Sequence, residues 1–168
     1  MSHPVVLALF EDAAAAAAAA RALRTLGVPR ERVSIVARSH DEEGVVADAS
    51  GGSPGSEIED SAAASRLGEL GAHLLAAIAL VMPGIGPIVA DGPLAAGMGE
   101  AAGHLAGGIP RTLERAGLSQ ADAHRWEARI RGGALLVGAH VEAGQIDRAR
   151  EVLTGAGGRD VSVGRWAD

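Results

Sequence analysis

Val5 to Phe10 is an unbroken apolar run rich in β-formers. At Glu11-Asp12 the pattern switches to eight consecutive alanines followed by Arg21-Ala22-Leu23-Arg24-Thr25-Leu26-Gly27. Acids ahead of the alanines, arginines behind them and a closing glycine suit the helix dipole and the C-cap, so the pattern predicts a strand and then a helix. Pro29 to Arg32 make a polar turn, and Arg32-Val33-Ser34-Ile35-Val36-Ala37-Arg38 predicts a second strand. Near the other end, Ala134 to Val141 reads as a strand, Gln145 to Thr154 as a helix closed by Gly155, Gly157 and Gly158, and Val161-Ser162-Val163 as a strand. Ser119-Gln120-Ala121-Asp122 caps a further helix that runs to about Arg131 and stops at Gly132-Gly133.

The β-α-β order therefore occurs twice. Two right-handed β-α-β units sharing one antiparallel sheet predict an α+β fold of the ferredoxin-like sandwich type. Residues 1–38 supply the first half, and residues 118–168 supply the capped helix and the second half of one composite domain. Residues 39–61 differ in material: Asp41-Glu42-Glu43, a Gly/Ser/Pro stretch and Glu57-Ile58-Glu59-Asp60 read as a solvated acidic linker. From Ala62 to Ile109 charge nearly vanishes. We expect residues 62–117 to form an inserted Gly/Ala-rich helical hairpin, with arms over roughly 62–82 and 93–108 and a turn at Pro83, Gly84, Gly86 and Pro87.

In the second arm Ala95, Gly99, Gly103 and Gly107 recur every four residues, which on a helix sets four small side chains along one face. Such a face permits close backbone approach, in lipid or in water, and is the expected helix-packing and oligomer contact. Leu70 to Ala90 is free of Asp, Glu, Lys and Arg, but its Pro-Gly break leaves each arm too short to span a bilayer. Docking to a membrane surface or an apolar protein partner is the alternative to self-association into a homo-oligomer.

Composition narrows the chemistry. Of 168 residues, 36 are Ala and 24 are Gly, so the core must be close-packed backbone. One Phe, two Trp and no Tyr leave few surfaces for stacking bases or flat ligands. All 15 basic residues are Arg, spread through the chain within a net charge of −6, and no nucleic-acid partner is expected. The absence of Lys removes Schiff-base and P-loop lysines. The absence of Cys removes disulfides and thiolate metal sites. No basic n-region precedes the first apolar run, so a cytoplasmic location, with membrane association through the hairpin, is the expectation.

The sequence resembles the bacterial general stress protein, or heat-induced stress protein, domain family. The resemblance is carried by Val5-Val6-Leu7-Ala8-Leu9-Phe10 with the Ala-rich helix ending Arg24-Thr25-Leu26-Gly27-Val28, and by Arg32 to Ala37. It extends to Met82-Pro83-Gly84-Ile85-Gly86-Pro87-Ile88-Val89-Ala90 with Gly92-Pro93-Leu94-Ala95-Ala96, and to Gly132 to Val137. It implies a role in bacterial stress responses, with no settled biochemical activity. It therefore points to a non-enzymatic structural protein without a cofactor.

Two Glu–His pairs depart from the apolar hairpin that this resemblance implies. Glu69 precedes His73, and Glu100 precedes His104, each by four residues, so each pair shares a helical face. In an antiparallel hairpin the pairs could meet at similar depth and hold a transition metal, or the two imidazoles could ligate a haem iron. The competing reading is two ordinary side-chain pairs. Gly51-Gly52-Ser53-Pro54-Gly55 matches a nucleophile elbow in letters only, because Pro54 lacks the N–H an oxyanion needs. A small-ligand sensor built on the sheet is a further, weaker reading. His124 and His140 have no evident partner in sequence, and Trp126 and Trp166 read as packing residues.

Overall fold

The computed structural model describes residues 2–38, 78–82, 86–95, 97 and 108–166. β1 (His3–Phe10) passes through Asp12 into α1 (Ala13–Thr25), and the Asp12 carboxylate accepts the Ala15 N–H at 2.8 Å, capping the helix. The helix closes where Gly27 takes φ of 95° and the Val28 N–H reaches back to the Leu23 carbonyl. A 3-10 turn at Arg30–Arg32 leads into β2 (Val33–Arg38). After β3 (Ile78–Met82) and β4 (Gly86–Asp91) come α2 (Gly108–Arg115) and α3 (Gln120–Arg131), the latter capped by Ser119, whose hydroxyl accepts the Asp122 N–H at 3.1 Å. β5 (Leu135–His140), α4 (Ile146–Gly155) and β6 (Arg159–Trp166) complete the order.

The six strands form one sheet in the order β3-β4-β2-β5-β1-β6, and every neighbouring pair is antiparallel. β1 and β2 both run against β5, so they are parallel to each other, as a helical crossover requires. Helices cover both faces. α1 and α4 lie over Val6, Ala8, Phe10, Ile35 and Val137. α2 and α3 lie over Val5, Leu7, Leu9, Val36 and Leu136. This two-sided burial explains why β1 reads as a continuous apolar run and not as an alternation. The molecule is thus mixed helix and sheet.

One expectation is overturned. Residues 78–82 do not continue a helical arm; with 86–91 they form a β-hairpin whose second strand pairs with β2, from Ile35↔Asp91 to Arg38↔Ile88. Ile78, Val81, Ile88 and Val89 are β-branched, and β2 offers an edge for them to extend. Pro87 is tolerated because it lies one residue beyond the β2 ladder, near the start of its strand. Across the pair, Gly86 lies opposite Met82 and Pro87 opposite Val81. α2, placed by sequence inside the insertion, packs on the same sheet face as α3 and belongs to the core.

Candidate functional site

Strand register places three polar or aromatic side chains in a row at one end of the α2/α3 face. His140 on β5 lies opposite Val5, two residues from His3, and His3 lies opposite Trp166 on β6. Residues diagonal across a ladder are within reach of long side chains. His3 Nε2 and His140 Nδ1 are accordingly 2.6 Å apart, one ring's N–H donating to the lone pair of the other. The His140 ring meets Trp166 edge-on at 5.3 Å, and the Arg115 guanidinium sits over the Trp166 ring at 4.9 Å. His140 is 2% exposed and Trp166 6%. A proton shared between two imidazoles is the chemistry this row can perform. It could offer a metal two nitrogens, but no group of three or more His, Asp or Glu that could hold a metal occurs among the described residues.

Trp166 also joins the two flanks of the glycine series. A Cβ placed on Gly97 would stand 3.0 Å from the Trp166 ring and 3.4 Å from the Thr112 methyl, so Gly97 and Thr112 meet beside the indole. Just before it, the chain is clamped to the sheet: the Ser34 hydroxyl, fully buried, accepts the Leu94 N–H at 3.1 Å. Leu94 then fills the hollow above Gly138, where a Cβ would come within 2.9 Å of it. Gly92, with φ of 82°, is needed because a side chain there would strike the Val33 carbonyl.

Ala95 is 1% exposed and packed in the chain's own core with Ile109, Leu113 and Trp126. Gly99, Gly103 and Gly107 lie outside the described residues, as do Pro83, Gly84, the linker 39–61 and the proposed ligands Glu69, His73, Glu100 and His104. His124, unassigned by sequence, faces Glu127 at 3.6 Å on the surface of α3. Trp126, 1% exposed, is a packing residue as read. Sequence reasoning missed the His3–His140 pair, which only the β1–β5 register brings together.

No family model, curated protein or solved structure matches the chain. The likeness to general stress proteins therefore stands on the motifs quoted above. No helix among the described residues is long and apolar enough to cross a membrane.

Proposed function

We propose that this chain is a non-enzymatic, stress-associated structural protein that self-assembles through its glycine-rich stretch. Its frame on this reading is a ferredoxin-like sandwich, β2-β5-β1-β6 with α1 and α4, extended by the β3–β4 hairpin. The observation that carries the reading is the junction at Trp166, where Gly97 and Thr112, on either side of the glycine series, are held together. On this reading Gly99, Gly103 and Gly107, which lie between these two residues in sequence, supply the small side chains that a second copy packs against. Ala95, used by the chain's own core, is not part of that surface.

Light scattering on the purified chain tests this. The wild type is expected as a discrete multiple of 16.8 kDa, and Gly103→Leu should lower that mass by blocking close approach. An unchanged mass in the variant rules out the glycine contact. Protein soluble only in detergent would instead favour docking to a membrane.

A further inference from the structure

β6 ends the sheet: among the described residues its one strand neighbour is β1. The direction of its outer main-chain groups follows from Pro4. The Pro4 carbonyl accepts the Val141 N–H at 3.0 Å, so the main-chain groups of Pro4 point toward β5. By alternation those of Val5 and Leu7 point toward β6, where they face Gly164 and Ser162. The N–H and C=O groups of Val161, Val163 and Arg165 therefore point away from the sheet.

The usable length of this edge is short and defined. A bulge between Leu7 and Leu9, with Asp160 at φ of 51°, interrupts the strand at its start. Trp166, at the far end, is buried. The segment between them is Val161-Ser162-Val163-Gly164-Arg165, in which Val161 adjoins Asp160 in the register shift, and its midpoint is Val163. Val163 is 41% exposed and is the exposed large hydrophobic residue among those described.

We propose that β6 pairs antiparallel with β6 of a second copy about a two-fold axis at Val163, joining two sheets into one. In this register Val163 faces Val163, and Val161 faces Arg165 at both ends, with about six main-chain hydrogen bonds closing the pair. The two Val163 side chains cover each other on the α1/α4 face. A two-fold centred on Ser162 would instead set Arg159 opposite Arg165, like charge against like. Asp160 is already engaged, receiving Arg129 at 3.0 Å, and does not compete for the edge. The residues of this contact, 161–165, are distinct in sequence from Gly99, Gly103 and Gly107.

The chain has no cysteine, so single thiols report the register. Val163→Cys places two thiols across the axis at a Cα separation of about 5.5 Å, within disulfide range. Val161→Cys places them roughly 13 Å apart, beyond it. Mild oxidation of the full-length chain should convert Val163→Cys to a covalent dimer and leave Val161→Cys uncrosslinked. The same crosslink should form in a Gly103→Leu background, which separates this contact from the glycine surface. Val163→Pro, which removes an outward N–H and leaves the β1 ladder intact, should abolish edge pairing, read as loss of that contribution to the mass. Failure of Val163→Cys to crosslink, or equal crosslinking of both thiol variants, overturns the proposal.

Discussion

Gly164 is the position where the packing is most sharply constrained, and Gly164→Ala is the perturbation that tests it. A Cβ on Gly164 would sit 1.8 Å from the Ala116 carbonyl oxygen and 2.9 Å from its carbon, whereas ordinary contact begins at 3.4 Å. The loop after α2 would have to retreat by roughly 1.5 Å. It is not free to do so. Ala116 N–H donates to Thr112, Gly117 N–H to Glu114 and Leu118 N–H to Leu113, at 3.0, 2.9 and 3.0 Å, and Ala116 is fully buried. Gly117 itself has φ of 96° and would bring its own Cβ within 2.9 Å of Gly164. Because backbone meets backbone, no rotamer change relieves the clash. Overpacking of this kind costs about 3 kcal/mol, the upper part of the usual range. For a chain of this length that lowers Tm by roughly 6–12 °C in a calorimetric or circular-dichroism melt. Gly144→Ala is the control: nothing lies within 4 Å of its Cβ and its φ is not positive, so its Tm should stay level or rise slightly. A Gly164→Ala protein melting within 2–3 °C of wild type, roughly the effect of 1 kcal/mol, would show that α2 is not seated on β6 as described.

Two further substitutions probe the anchors of the same face. Ser34→Ala removes the acceptor of the Leu94 N–H inside the core and should destabilise by about 1–3 kcal/mol in chemical denaturation, with an unchanged midpoint contradicting the clamp. Ser119→Ala removes the cap of α3 and should cost about 1 kcal/mol, whereas Ser119→Asp should recover most of it.

Local chemistry made much of this fold legible. Asp12 and Ser119 cap the helices that the sequence places after them, and Gly27 and Gly133 end α1 and α3 with positive φ. The two β-α-β orders were visible because the first strand of each, β1 and β5, is buried on both sides and reads as an apolar run. The β3–β4 hairpin was not visible. Ala and Leu around Ile78 and Val81 support a helix as readily as a strand, and the edge of β2 that decides the matter lies some forty residues away in sequence. The same Pro-Gly break punctuates either kind of hairpin. Ala95 fitted the four-residue recurrence, but burial against Ile109 and Leu113 is a tertiary fact that spacing does not carry. His3 and His140 are separated by 137 positions, and nothing local marks them as partners. Only the pairing of Val5 with His140 does.

The distribution of burial bears on how such a chain would assemble. Among the described residues, helices of the same chain cover both faces of β5 and β1, so the β6 edge and the glycine contact are the two proposed places for a further copy. An isologous contact at β6 closes on itself and stops at two subunits. If the glycine series forms the contact proposed above, a second isologous pairing there would link one pair to the next. One interface alone then yields a dimer of fixed size, and both together yield a chain of pairs whose length depends on concentration. The bulge at Leu7–Leu9 and Asp160 shortens the pairing segment to five residues and so limits the number of main-chain hydrogen bonds the proposed edge contact can make. The proposed assembly is therefore built from one contact of few hydrogen bonds and one of close small-residue packing, and it is the first of these that dilution should break.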